Sequence, residues 1–263
     1  MRVIIQENYE NMSLWAAHYI ADKINNHKEK RPFVLGLPTG SSPIGVYKEL
    51  IKLNKEGKVS FKNVVTFNMD EYVGLPHEHD QSYYYFMHDN FFDHLVDMKE
   101  ENINILNGMA KDLEKECDDY EKKIKSYGGI DLFMGGIGVD GHLAFNEPFT
   151  SLTSRTGIRN LTSDTRIVNS RFFGGDPNKV PSQALSVGIG TVTDSKEVLV
   201  LISGHNKARA LAKTVEGNVS HKWTCSALQM HNGAIIVCDE ASCGELTVDT
   251  YKYFLDIERK ERL

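Results

Sequence analysis

The stretch Asp140-Gly141-His142-Leu143-Ala144-Phe145-Asn146-Glu147-Pro148 sets two carboxylates and an imidazole within one short turn. That is equipment for proton transfer: a carboxylate beside His142 can fix its tautomer and hold its pKa in the range useful for general acid-base catalysis. An imidazole bracketed by acids in a Gly-rich loop points to function more than to packing. Asp70-Glu71 follows the apolar run Val64 to Asn68. Partial burial and a neighbouring like charge should both raise the Asp70 pKa toward that of a useful base. The third cluster, Thr39-Gly40-Ser41-Ser42-Pro43, is small and hydroxylated. With Ser42 as N-cap and Pro43 at the first helical position, free backbone N–H groups would face an anion at a helix start. Alone, that string reads as a well-capped turn. Lys207 favours a phosphate cradle, because a cation in the first turn of another helix gains nothing from its own helix dipole.

Other motifs carry less. Gly136-Ile137-Gly138-Val139-Asp140-Gly141 matches a dinucleotide-binding string. It comes late in the chain, Pro148 forbids a long helix soon after it, and Asp140 would place an anion against the pyrophosphate. No nucleotide cofactor is expected. His77-Glu78-His79-Asp80 imitates a metal site but has no Cys or further His pairing in view, so it reads as a solvated loop and no metal is expected.

These clusters need elements to bring them together. Val3 to Ile5, Phe33 to Leu37, Val64 to Asn68, Ile130 to Met134, Val198 to Ile202 and Ala234 to Val237 are the candidate strands. Met12, Trp15, Ala16, Tyr19, Ile20 and Ile24 recur at helical spacing, as do Leu113, Cys117, Tyr120, Ile124 and Tyr127. Strands without in/out alternation, separated by helices, predict an α/β fold with a helix-covered, mainly parallel sheet. A parallel sheet gathers its strand carboxyl ends at one edge, where open α/β proteins bind ligands. The three clusters and Ser203 to Lys207 all follow predicted strand ends and should converge there. Thr150 to Ser182 is the least regular stretch, with Arg155, Arg159, Arg166, Arg171 and a Gly174-Gly175 pair, of the kind found in lids and binding loops as well as in plain surface excursions. No Pro/Gly/Ser linker divides residues 1–263, which predicts a single domain.

Composition bounds the rest. The chain has 263 residues, 41% hydrophobic and 25% charged, ordinary for a globular protein with a sizeable core. Its formal net charge of -6 comes without any basic block, so no nucleic-acid partner is expected. Apolar runs are far shorter than a bilayer span, and the N-terminus turns polar at Gln6-Glu7-Asn8, which reads as a mature cytoplasmic start. Cys117, Cys225, Cys238 and Cys243 form no C-x-x-C pair and read as free thiols in a reducing compartment.

Leu35 to Gly40, Phe67 to Tyr72 and Gly135 to Pro148 closely resemble the glucosamine-6-phosphate deaminase family. Ser154-Arg155-Thr156, Asn169-Ser170-Arg171-Phe172-Phe173 and Gly204-His205-Asn206-Lys207 belong to the same pattern, and the match runs from Met1 to about Phe254. The resemblance implies a three-layer, modified Rossmann-like fold and cofactor-free conversion of glucosamine 6-phosphate and water to fructose 6-phosphate and ammonia. It implies that Asp70 moves a proton between C2 and C1, and that His142, supported by Asp140 and Glu147, opens the pyranose ring. It gives the substrate phosphate to Thr39, Gly40, Ser41, Ser42, Arg171 and Lys207, and a mobile lid to about 161–184. Allosteric members are hexamers, which makes a homo-oligomer the expectation. Their effector, N-acetylglucosamine 6-phosphate, binds at positions corresponding to Thr150, Ser151, Gly157, Arg159, Asn160 and Tyr253; Gly157 replaces an arginine. Two other readings are a 6-phosphogluconolactonase-like hydrolase, which would need no C2 base, and a sugar-phosphate sensor, which would need no acid-base set.

Overall fold

In the computed structural model, which describes residues 1–263, the apolar segments pair into one parallel sheet. The elements run β1 (Arg2–Gln6), α1 (Tyr9–Asn25), β2 (Phe33–Leu37), α2 (Ile44–Lys55), β3 (Val64–Asn68), β4 (Asp70–Tyr72), α3 (Tyr83–Asn90), β5 (Ile103–Asn104) and α4 (Leu113–Ser126). They continue with β6 (Leu132–Gly136), β7 (Gly157–Asn160), α5 (Ser163–Asn169), β8 (Gln183–Ser186), α6 (Ile189–Thr193), β9 (Glu197–Ile202), α7 (Ala208–Val215), β10 (Ala234–Asp239) and α8 (Val248–Ile257).

Seven strands stand in the order β1-β10-β9-β6-β2-β3-β5, with every neighbouring pair parallel. Because successive side chains of a strand point to opposite faces, each strand feeds two cores. Val198, Val200 and Ile202 of β9 pack on one face with Cys117, Tyr120 and Ile124 of α4 and with Ala210 and Leu211 of α7. Leu199 and Leu201 pack on the other with Met12, Trp15 and Ile20 of α1 and Val46 and Leu50 of α2. Full burial of one such aliphatic side chain stabilises the fold by about 1.5–3 kcal/mol. The result is the predicted three-layer α/β/α arrangement.

The chain's path explains where the strands leave a gap. It enters the sheet interior at β2 and steps outward through β3 to β5, then returns beside β2 at β6 and steps the other way through β9 and β10. The two arms diverge between β2 and β6, which is where a ligand cleft forms in such sheets.

Three details depart from the sequence reading. The fourth strand begins at Leu132 rather than Ile130; just before it the Asp131 N–H donates to the Val34 carbonyl while its carboxylate takes the Val34 N–H and the Arg31 guanidinium. Ser42 does not cap α2: Pro43 is the boundary residue and makes no side-chain cap of its own. The Tyr9 hydroxyl accepts the Gly45 N–H at 2.9 Å and bonds the Ser41 and Ser42 carbonyls at 3.1 Å, so α1 does the work expected of Ser42. Finally, the stretch from Thr150 to Ser182 is not irregular throughout. It holds β7 and α5, and β7 joins β4 and β8 in a second, antiparallel sheet of three strands, order β4-β8-β7.

Candidate active site

A cleft of about 690 Å³ opens at the carboxyl edge of the sheet over the β2/β6 gap, and Pro38 to Pro43, Met69, Asp70, Gly136 to Asp140, His142, Ser203 and Lys207 all line it. The four strand-end clusters therefore converge. Glu147 and Arg171 line the same cleft, so ten sequence-predicted catalytic and phosphate residues come together. The remaining six do not join them. Arg159 turns away, its Nε donating to Asn146 Oδ1 at 3.1 Å and its Nη2 to the Arg155 carbonyl at 2.7 Å. Tyr253 lies in a separate groove beside Met1, Thr247 and Thr250.

Asp70 begins β4 and pairs in register with Ser186 of β8, which fixes its backbone at the cleft wall. It is buried, and burial followed by the like charge of Glu71 pushes its carboxyl up to about 8. Glu71, fully buried on the other side of the strand, accepts N–H bonds from Tyr72 at 2.8 Å and from Tyr83 and Tyr84 at 2.9 Å each. Burial drives Glu71 up to about 7, opposed by those three donors. The donors belong partly to the first turn of α3, where the helix dipole also favours a carboxylate, so the fold stabilises the charge of Glu71 and leaves that of Asp70 without donors.

The loop carrying the imidazole is held from several sides. Cys225 N–H bonds the Gly141 carbonyl at 2.9 Å, Leu143 N–H bonds Thr224 Oγ1 at 3.2 Å, and Phe145 N–H bonds Ser186 Oγ at 3.0 Å. Those anchors sustain two left-handed non-glycine residues, Ala144 at φ 50° and Phe149 at φ 75°. Such conformations cost on the order of 1–3 kcal/mol each and cluster at functional sites. In this loop His142 Nδ1 lies 2.8 Å from Asp140 Oδ1 and 3.9 Å from Glu147 Oε2. The Asp140 approach is out of line with the ring N–H, which leaves Nδ1 without an aligned hydrogen bond. Burial would raise the Asp140 pKa, but the nearby imidazole outweighs it and holds the carboxyl below its ordinary range.

Asp140, His142 and Glu147 are also close enough to be tested as cation ligands, with donor atoms within 4.8 Å. Two ligands on one zinc ion, each about 2.0–2.1 Å from it at tetrahedral angles, stand about 3.3 Å apart. The 2.8 Å Asp140–His142 contact is tighter than that and is the spacing of an ion pair. The Gly136 to Gly141 loop is not followed by a helix until Ser163, so it lacks the helix start that cradles pyrophosphate in dinucleotide sites.

At the opposite wall, Gly40 takes φ +92°, open only to glycine without strain, and turns the chain so that Thr39 to Ser42 face the cleft. Since Tyr9 rather than Ser42 takes the Gly45 N–H, the Ser42 hydroxyl is spared for a ligand. Lys207 Nζ donates to the Ile137 carbonyl at 2.7 Å, and burial lowers its pKa. Arg171 is exposed at the cleft rim, its guanidinium 4.6 Å over the Phe172 ring. Two cations lining the same cleft as a small hydroxylated backbone suit a phosphate dianion.

Several structural contributors escaped the sequence reading. Asp239, at the end of β10, accepts from Ser203 Oγ at 2.5 Å and Gly204 N at 3.0 Å, and so holds the loop that presents Lys207. Thr165 donates to Glu147 at 2.6 Å. Thr162, a hydroxyl residue in N-cap position before a short helix, was the available signal for the second.

Residues 7–237 match the family described as glucosamine-6-phosphate isomerases and 6-phosphogluconolactonases. The chain is 65% identical over 261 residues, 98% of its length and 99% of the relative's, to a glucosamine-6-phosphate deaminase of Phocaeicola vulgatus. It is 63% identical to one of Borreliella burgdorferi, over 99% of this chain and 97% of that one. Among solved structures, a monomeric glucosamine-6-phosphate deaminase superposes with a TM-score of 0.87 at 43% identity, covering 92% of this chain and 98% of that one. A 6-phosphogluconolactonase of Trypanosoma cruzi shares the fold at a TM-score of 0.73 and 18% identity, covering 94% of this chain and 97% of its own.

Proposed function

The chain belongs to the family of glucosamine-6-phosphate isomerases and 6-phosphogluconolactonases, and we propose that its cleft converts D-glucosamine 6-phosphate and water to D-fructose 6-phosphate and ammonia. Whole-length identity of 62–65% to relatives named glucosamine-6-phosphate deaminase supports the deaminase branch over the lactonase branch. The observation that carries the chemistry is Asp70: a buried carboxyl in the cleft wall, raised to about 8, suited to take a proton from carbon. Lactone hydrolysis removes no proton from C2 and needs no base placed there.

The roles follow from position. The phosphate docks among Thr39, Gly40, Ser41 and Ser42, with Lys207 and Arg171 neutralising it. His142, paired with Asp140 and faced by Glu147, moves the proton between the anomeric hydroxyl and the ring oxygen that opens the pyranose. Asp70, as carboxylate, then removes the C2 proton of the open aldehyde and returns it to C1. The C2 enamine becomes an imine, water adds to C2, and the C–N bond breaks to give the ketone and ammonia. No step calls for a cofactor. Residues 161–184 act as the lid that excludes water; exposed Ile167, Val168 and Phe172 provide apolar surface for closure.

The proposed setting is cytoplasmic amino-sugar catabolism by a homo-oligomer. No helix is long and apolar enough to cross a membrane. Exposed Val248, Tyr253 and Ile257 on α8 favour self-association. The activity is tested by incubating the purified protein with glucosamine 6-phosphate or 6-phosphogluconolactone. Equal yields of ammonia and fructose 6-phosphate from the first support the reading; lactone hydrolysis without ammonia release overturns it.

A further inference from the structure

The fold treats the two carboxylate oxygens of buried Glu147 differently. Oε1 accepts from Thr165 Oγ1 at 2.6 Å, from Thr162 N at 3.2 Å and from Thr162 Oγ1 at 3.3 Å. Oε2 has no partner at all and lies 3.9 Å from His142 Nδ1, itself without an aligned hydrogen bond. Buried polar atoms are nearly always paired, and an orphan in a native structure calls for an explanation. At 3.9 Å the Oε2–Nδ1 pair lies beyond hydrogen-bond reach, with Glu147 facing the imidazole that Asp140 approaches at 2.8 Å.

The donors to Oε1 come from a different part of the chain. Thr162 is the N-cap of α5, accepting from Thr165 N, and Thr165 sits in the first turn of that helix, inside the segment that covers the cleft. A hydroxyl carries one proton and a carboxylate can only accept, so the 2.6 Å contact makes Thr165 the donor. The Thr162 proton is divided between Glu147 at 3.3 Å and Thr165 Oγ1 at 3.1 Å, a weaker hold. Thr165 is buried and β-branched, which restricts its rotamers and fixes the direction of its hydroxyl.

Resting on the roles proposed above for His142 and Glu147, we infer that Thr165 is a positioning residue: its hydroxyl keeps Glu147 turned so that Oε2 faces His142. The acid-base pair is thereby complete only when α5 is seated over the cleft. Displacement of α5 removes the hold on Oε1, frees the carboxylate to rotate, and leaves His142 with Asp140 alone. Ring opening before closure is suppressed.

The test uses the full chain turning over glucosamine 6-phosphate, in the parent, Thr165→Val, Thr165→Ser, Glu147→Gln and the double variant Thr165→Val/Glu147→Gln. Valine keeps the shape and removes the hydroxyl; serine keeps the hydroxyl. The expected result is a kcat about tenfold lower for Thr165→Val, with KM changed by less than about twofold, and near-parent kcat for Thr165→Ser. In the Glu147→Gln background the valine should cost nothing further, because the group it acts through is gone. If Thr165→Val does not fold, Thr165→Ala carries the same comparison. Parent-like kcat in the hydroxyl-free variant, or an equal loss with and without the Glu147 carboxylate, overturns the inference. Undiminished turnover in Glu147→Gln overturns instead the catalytic reading beneath it.

Discussion

Asp70 and Glu71 are neighbours on β4 but face opposite sides of the strand: Glu71 is held by three backbone N–H groups, from Tyr72, Tyr83 and Tyr84, while Asp70 looks into the cleft. The fold therefore invests its donors in one acid and withholds them from the other. The anchored carboxylate fixes the short strand against α3 and adds a like charge beside its neighbour. A base raised in this way is reactive because it is badly solvated, and that has consequences for stability as well as for rate.

Rate should rise with pH through the titration of Asp70. Only the carboxylate can accept the C2 proton, so with a carboxyl raised to about 8 a minority of the free enzyme is competent at neutral pH. The limb of kcat/KM on the acid side should fall tenfold per pH unit below a midpoint near 8. A midpoint at the ordinary carboxylate value would show that Asp70 is not raised in the free enzyme.

Stability should move the other way. A carboxyl whose folded pKa is raised from 3.8 to about 8 binds its proton more tightly in the fold than in the unfolded chain. Its contribution is most favourable at low pH and is lost as pH rises from about 4 to about 8. Asparagine cannot ionise. Asp70→Asn should therefore melt higher than the parent at pH 8, by a margin that shrinks at pH 5; thermal unfolding at the two pH values checks this, with an unchanged margin as the contrary outcome.

The phosphate ligands should separate binding from chemistry. Lys207→Ala removes a half-buried ammonium and should weaken the phosphorylated substrate by about 1.5–3 kcal/mol. Arg171→Ala, at an exposed rim, should cost less. Comparing glucosamine 6-phosphate with glucosamine reads this directly: a variant that discriminates between them as well as the parent does not hold phosphate.

Activation by N-acetylglucosamine 6-phosphate should be weak or absent. Arg159 spends its guanidinium on Asn146, Ile158 and Arg155 of its own chain, and Gly157 supplies no second cation. A side chain added at Gly157 would begin 3.0 Å from Arg159 Nη1. An effector shifts an equilibrium only by its differential affinity for two states, and a site with its phosphate ligands withdrawn offers little. Rate against substrate concentration should be nearly hyperbolic with and without effector; a sigmoid made hyperbolic by the effector would contradict this.

Some of this was legible from residue types alone. β2 and β3 occupy the predicted ranges, Phe33 to Leu37 and Val64 to Asn68, because a run buried on both faces is its own signal. The second sheet was not. β4, β7 and β8 are three to four residues long and mix polar with apolar positions, so no periodicity distinguishes them from loop. The Ser42 cap failed for a related reason: Tyr9, more than thirty residues earlier in the chain, takes the Gly45 N–H instead, and only the packing of α1 on α2 brings it there. Motif residues can be read locally, whereas the groups that orient them, Glu71, Thr165 and Asp239, act across contacts that form in three dimensions.

The account turns on Asp70 as the group that carries hydrogen from C2 to C1, and the most direct measurement follows that hydrogen. Glucosamine 6-phosphate deuterated at C2 is incubated with the parent and with Asp70→Asn, and the loss of label from C2 and its arrival at C1 of fructose 6-phosphate are read by NMR. The predicted result is label loss by the parent with part recovered at C1. The asparagine variant should be slower by roughly 10² to 10⁴ while still binding substrate. Label loss from C2 at an unchanged rate in Asp70→Asn would contradict the assignment.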